Sequence, residues 1–218
     1  MRREWDERAR INARHFIATG KPEWTLEDFV ESGRENVRAE ILTDMQNICQ
    51  GRDPKQMRVL EIGCGAGRLT RALAEVFGEV HGVDLSGEMV KLAQETLRDQ
   101  PNAFVYQTNG MDLSAVGHLI FDFAFSFIVF QHIPSKTVIE NYVRETHRLL
   151  RPGALFKFQV NGDPGKTPRN DTWFGASFSQ HDANELAARC GFEARYQTGS
   201  GSQMFWLWFF KPHEQESA

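Results

Sequence analysis

Cysteine is scarce in this chain, with three in 218 residues. That odd, low count argues against a disulfide framework and makes a reducing compartment, the cytoplasm, the expected location. Long hydrophobic runs are missing too. FDFAFSFIVF (121–130) and MFWLWFF (204–210) are the longest, and both are too short for the roughly 20 residues that cross a bilayer. The opening MRREWDERARIN has no apolar core of a signal peptide and reads as mature protein. Basic charge is not in excess: 25 Lys+Arg against 29 Asp+Glu leave −4. A general nucleic-acid binder needs a cationic stripe to displace counterions, so neither nucleic acid nor a membrane is the expected partner. The seven histidines show no metal-ligand spacing, and no metal site is expected. Internal repeats and low-complexity tracts are absent as well.

What is present falls into two regimes. Residues 1–55 are polar and helix-like, and from Met57 onward short apolar runs alternate with amphipathic stretches, the pattern of β-α-β units around a parallel sheet. In the first regime Trp5, Ala9, Ala13, Phe16 and Ile17 recur near helical spacing. A second helix starts at Thr25, with Asp28 as a capping partner, and carries an apolar stripe as far as Ile48. In the second regime the expected strands are 58–62, 79–83, 103–107, 121–127, 154–160, 192–197 and 203–210, the last two forming a hairpin across TGSGS. Helices are expected at 67–77, 86–98, 135–150 and 179–190, with Ser86 as an N-cap. Pro152-Gly153 reads as a turn, and residues 213–218 as a frayed tail.

The chemistry concentrates after the first strand. Residues 59–70 read VLEIGCGAGRLT: a buried strand, then glycines at 63, 65 and 67, then a helix. Glycine there permits positive φ and lets a ligand approach the backbone, and the helix start offers unpaired N–H groups. A dinucleotide fingerprint would place its third glycine where Arg68 stands, so the G-x-G-x-G spacing speaks against a nucleotide-dependent oxidoreductase. Asp84 closes the second strand, 17 residues after Gly67. A carboxylate at the C-terminal edge of a parallel sheet can accept both hydroxyls of a ribose. The two strands are expected to be neighbours, with glycine loop and carboxylate facing one crevice.

These residues resemble the class I S-adenosylmethionine-dependent methyltransferases of small-molecule type. Glu61-x-Gly63-x-Gly65-x-Gly67 is similar to the family's first motif, and Asp84 to its ribose-binding acid. Asn109-Gly110-Met111-Asp112-Leu113 resembles the adenine loop, with Asn109 where the family usually has aspartate. Phe121-Asp122-x-x-x-Ser126 followed by Gln131-His132-Ile133-Pro134 looks like the fourth strand and the turn beside the methyl donor. Arg148-x-Leu150-x-Pro152-Gly153 looks like the entry to the fifth strand. The likeness runs from about Val59 to Phe210.

The resemblance implies an α/β fold: a seven-stranded, mostly parallel sheet in order 3-2-1-4-5-7-6, with an antiparallel last strand, helices on both faces and an N-terminal helical cap. It implies a cap at 1–55, a donor-binding domain at 56–212 and a tail at 213–218. It implies S-adenosylmethionine as cofactor, leaving as S-adenosylhomocysteine. Glu61, Gly63, Cys64, Gly65, Gly67, Asp84, Leu85, Met89, Asn109, Gly110, Met111, Ser126 and Phe127 are its expected contacts. Cys64 reads as a packing residue, not a nucleophile. His132 is the candidate general base, since histidine exchanges a proton near neutrality, with a structural histidine as the competing reading. Asn161, Arg169 and Trp173, in the polar stretch after the fifth strand, are candidate acceptor contacts. No Asn-Pro-Pro-Tyr follows the fourth strand, as an adenine- or glutamine-methylating enzyme would show, and no Pro-Cys pair marks a cytosine nucleophile. By elimination the expected reaction is O- or N-methylation of a small metabolite or natural product, the alternatives being an inactive donor-binding protein or a protein methyltransferase.

Overall fold

In a computed structural model of the chain, residues 1–166 and 172–213 are described. Arg169 and residues 214–218 of the expected tail lie outside them. Three helices come first: α1 (Arg2–Ile17), α2 (Leu26–Glu40) and α3 (Met45–Cys49). There follow β1 (Arg58–Ile62), α4 (Arg68–Val76), β2 (Glu79–Asp84), α5 (Gly87–Thr96), β3 (Ala103–Gln107), β4 (Phe121–Ser126), α6 (Lys136–Leu149), β5 (Leu150–Val160), α7 (Gln180–Arg189), β6 (Glu193–Thr198) and β7 (Phe205–Phe210). The sheet has seven strands in the order 3-2-1-4-5-7-6. β1, β2 and β3 pair in parallel, as do β4 and β5, and β7 runs antiparallel to both β5 and β6.

Side-chain caps set the helix starts. Thr25 Oγ1 accepts from Asp28 N at 3.0 Å, Ser86 Oγ from Met89 N at 3.2 Å and Ser135 Oγ from Val138 N at 3.4 Å. Ser179 and Asp182 form a reciprocal capping box on α7. Each cap satisfies a backbone donor that the first helical turn leaves open, worth about 1 kcal/mol.

The chain forms two compact units, residues 1–110 with 114–117 and residues 111–113 with 118–218. The N-terminal helices share the first with β1–β3. There α2 packs along α4 and α1 along α5, and Ala9, Ala13, Phe29, Ala66 and Met89 form one buried cluster. The core of the second unit is aromatic. Phe156 and Phe158 on β5 stack at 4.2 Å, Phe130 meets both edge-on, and Phe209 on β7 closes against Phe158 at 5.0 Å.

Three local expectations are corrected. The helix expected from Thr25 to Ile48 stops at Glu40, and a 3-10 turn at Leu42–Asp44 leads into α3. The break lets Ile41 and Ile48 both reach full burial. α1 is interrupted at Asn12, which has extended backbone angles (φ −167°, ψ 82°) and whose Oδ1 accepts from His15 N at 3.2 Å. Pro152-Gly153 is no free turn: β5 already begins at Leu150, and Gly153 N donates to Lys211 O at 2.9 Å.

Candidate functional site

In the first unit β1 runs into the glycine bend and β2 ends beside it. Gly63 N and Cys64 N both donate to Val83 O, at 2.7 and 3.0 Å, so the bend is stitched to the end of β2. Gly63, Gly65 and Gly67 all hold positive φ (81°, 52° and 83°). At Gly65 space is also limiting, since an added Cβ would come within 2.9 Å of Ile17 Cδ1 on α1. Asp84 grips the same bend. Its Oδ2 accepts from Gly65 N at 3.0 Å and its Oδ1 from Ser86 N at 2.8 Å. Each carboxylate oxygen has a second lone pair, so the group can still receive two hydroxyls.

Glu61 is buried below the bend at 2% exposure and accepts from Thr70 Oγ1 at 2.6 Å. Burial pushes its carboxyl up to about 7, against the pull of the Thr70 hydroxyl and the Arg68 guanidinium. Burial likewise pushes Asp84 up to about 6, opposed by the Ser86 and Gly65 amides and reinforced by the Asp6 carboxylate. The surroundings of both carboxyls disfavour uncompensated negative charge, and a cation arriving there would favour ionisation of both.

α1 reaches this edge from outside. Arg2 donates to Leu85 O at 3.1 Å and Thr108 O at 2.8 Å, Ser86 Oγ donates to Asp6 Oδ1 at 2.6 Å, and Arg10 pairs with Glu88 at 3.1 Å. Of the residues expected at a cofactor, Met89 is packed into the α1–α2 cluster and Cys64 is buried. Burial pushes the Cys64 thiol well above its ordinary range, and Cys49 and Cys190 are also free and buried. Leu85 is partly buried, and Asn109 is exposed with Gly110 (φ 83°) after it.

In the second unit Met111 is exposed, and its carbonyl accepts from Asn141 on α6. Ser126 ends β4 fully buried, and Phe127 stacks on Trp206 at 5.5 Å. His132 is only 6% exposed. Its Nδ1 lies 2.8 Å from Trp173 O and its Nε2 3.3 Å from Gln131 Nε2. With both ring nitrogens engaged, this geometry lends the expected base role no support. Asn161 is buried, donating to Lys166 O at 2.8 Å and accepting from Asp163 N at 3.1 Å. It therefore shapes its own loop. Trp173 is half-buried against His132, with ring centroids 5.6 Å apart. No cluster of metal-ligating side chains occurs among the described residues, and no helix there is long and apolar enough to cross a membrane.

Sequence reasoning placed Gln131 only in the turn after β4, and missed Arg2, Asp6, Gln159 and Gln203. Asp6 and Arg2 carry no motif.

This strand order is the class I methyltransferase fold. Within it, residues 59–153 match the model of a family described as a methyltransferase domain, a stretch that holds the glycine bend, Asp84 and β4. The chain is 33% identical over 109 residues to the ubiquinone biosynthesis O-methyltransferase of Xanthomonas oryzae pv. oryzae, covering 49% of this chain and 44% of that protein. The chain thus spans less than half the length of that curated relative. Among solved structures, magnesium protoporphyrin IX methyltransferase from Synechocystis PCC 6803, with bound S-adenosylhomocysteine, superposes with a TM-score of 0.69 at 16% identity over 96% of this chain and 97% of that one. The [4+2]-cyclase SpnF superposes at 0.60 with 16% identity, covering 72% and 75%. At such identities the likeness is one of fold.

Proposed function

We propose that this chain transfers a methyl group from S-adenosylmethionine to an oxygen or nitrogen of a small molecule, by in-line displacement. The observation that carries it is Asp84 bonded at once to the glycine bend and to the start of α5, with lone pairs left for two ribose hydroxyls. The glycine bend, made without side chains at 63, 65 and 67, gives the backbone amides access to the donor. Glu61 faces the donor's ammonium end and holds the bend. Leu85, Asn109, Gly110 and Met111 are assigned to the adenine, Ser126 and Phe127 to the methyl-bearing end, and helices 1–55 to capping. When bound, the donor supplies an electrophilic methyl on sulfur and a neutral thioether as leaving group. The chain's own task is then to hold the acceptor in line and keep water out, and orientation of this kind supplies up to ~7–11 kcal/mol. The segment from Asn161 to Phe178 is assigned to the acceptor side. No nucleic acid and no metal enters this reading.

Calorimetry with S-adenosylhomocysteine, followed by its release from S-adenosylmethionine over a panel of catechols, phenols, carboxylic acids and amines, tests the proposal. Binding together with turnover on one acceptor class supports it, and absence of binding removes it. A second reading is a donor-binding protein that does not methylate; the same fold occurs in a [4+2]-cyclase. Binding without turnover across the panel would select that reading.

A further inference from the structure

Beyond the donor pocket, the second unit contains a polar chain that the proposed reaction does not use. Ile128 follows β4 with φ 56°, a left-handed conformation that a β-branched residue rarely adopts. Strain of this kind persists only where the surroundings enforce it. Here Ile128 N donates to Gln159 Oε1 at 3.1 Å. That contact fixes which end of the Gln159 amide is oxygen. Gln159 Nε2 then donates to Gln131 Oε1 at 2.6 Å and Gln203 O at 2.7 Å. With its oxygen spent as acceptor, Gln131 presents its NH₂ to His132 Nε2 at 3.3 Å. On the far side of the ring, Nδ1 faces the Trp173 carbonyl at 2.8 Å, and a carbonyl can only accept. Each member thus orients the next, and the chain ends on a neutral imidazole that carries its proton on Nδ1. Gln159, Gln131 and His132 are all buried, so a mismatch anywhere would strand a polar group away from water.

We propose that His132 is a positioning residue, locked as the Nδ1–H tautomer by Gln131 and Gln159, which pins the Trp173 carbonyl and so holds the segment from Trp173 to Ala176 in place on the acceptor side. The acceptor half of this statement rests on the methyltransferase reading above; the tautomer and the pinning do not. Two neighbouring contacts belong to the same clamp: Gly175 N donates to Gln131 O at 2.5 Å, and Ala176 N to Ile133 O at 2.8 Å. Residues 131–133 therefore hold the segment through backbone and side chain together. The Nε2 lone pair that a general base would use faces the Gln131 amide.

Two substitutions separate holding from proton transfer. Asparagine places an amide NH₂ near the position of Nδ1, while glutamine places its NH₂ near that of Nε2. Neither can act as a base. His132→Asn keeps the bond to Trp173 O, so hydrogen exchange at Gly175 and Ala176 stays near wild type and turnover, on whichever acceptor the panel identifies, falls by about threefold at most. His132→Gln loses that bond. Exchange at those amides then accelerates about tenfold, as expected for one lost buried hydrogen bond, and the acceptor KM rises with kcat less affected. Long-range ¹H–¹⁵N spectra of the wild-type protein report the tautomer directly, so the proposal stays testable if either variant fails to fold.

A turnover loss of 10²–10⁴ in His132→Asn with exchange at Gly175 and Ala176 unchanged would make His132 a base and overturn the proposal. So would an Nε2–H tautomer, or unaltered exchange in both variants. Calorimetry with S-adenosylhomocysteine on the wild type separates the two levels. If it does not bind, the methyltransferase reading falls, while exchange and spectra still decide whether His132 pins Trp173.

Discussion

The glycine bend and the turn after β4 are built from different chemistry. The bend is flanked by carboxylates: Glu61 buried beneath it, Asp84 bonded across it, and Asp6 bonded to Ser86 beside it. The turn after β4 is held by neutral groups, the amides of Gln131 and Gln159 and an imidazole. A region poised to receive a cation gains from ionisable groups whose charge the ligand completes. A region that only holds geometry is served by amides, which do not titrate. Ligand affinity and pH sensitivity should therefore belong to the first region, and conformational order to the second.

The sharpest way to break that contrast is Asp84→Ala. It removes two charge-assisted bonds expected at the ribose, so affinity for S-adenosylhomocysteine should fall by about 3–5 kcal/mol in calorimetry. Asp84→Asn, which keeps one oxygen as acceptor for the bend, controls for loss of the bend itself. Unaltered affinity in both variants would remove the ribose assignment.

Next in size is the pH dependence. Burial raises Glu61 to about 7 and Asp84 to about 6. Between roughly pH 4 and 7 the folded chain therefore holds protons that the unfolded chain has released. Stability from these groups is present at low pH and lost as pH rises through that window, on the order of 1–3 kcal/mol. Glu61→Gln should flatten this part of the stability profile, read by denaturant titration at several pH values. Binding of a cationic donor should also release protons near pH 6–7, visible as buffer-dependent binding enthalpy. No substitution at Gln131 or Gln159 should change either slope.

In the second region Gly175→Ala should cost about 1–3 kcal/mol by overpacking. The added Cβ would meet Ile133 O at 2.5 Å, Ile133 N at 2.6 Å and Gln131 O at 2.8 Å, and backbone cannot step aside as a flexible side chain can. Donor-product affinity should remain that of wild type. The smallest expected effect is at Ile128. Asparagine tolerates the left-handed region better than a β-branched residue, so Ile128→Asn should stabilise by about 1 kcal/mol in thermal unfolding.

The same contrast governs what could be read from sequence. β1 and β3 are legible to the residue because each is a short apolar or β-branched run bounded by turns. The caps at Thr25, Ser86 and Ser179 follow from a hydroxyl placed before an amphipathic stretch. The glycine bend and Asp84 are legible because their geometry demands particular residue types. The interruption at Asn12, where the side chain accepts from His15 N, and the early end of α2 carry no glycine or proline to signal them. The entry to β5 was misread because pairing with β4 and Lys211 overrides the turn chemistry of Pro152-Gly153. The amide chain from Gln159 to His132 was invisible, since a glutamine in a sequence looks the same whether it faces water or orders a buried imidazole.

The buried cysteines have a practical consequence. Burial raises the Cys49 thiol, lifts Cys64 well above its usual range and pushes Cys190 up to about 11. Thiolate is the reactive form, so maleimide reagents should leave all three untouched in the folded protein. A cysteine introduced at Met111 or Tyr196, 54% and 53% exposed, would then take a fluorophore alone, without removal of any native thiol.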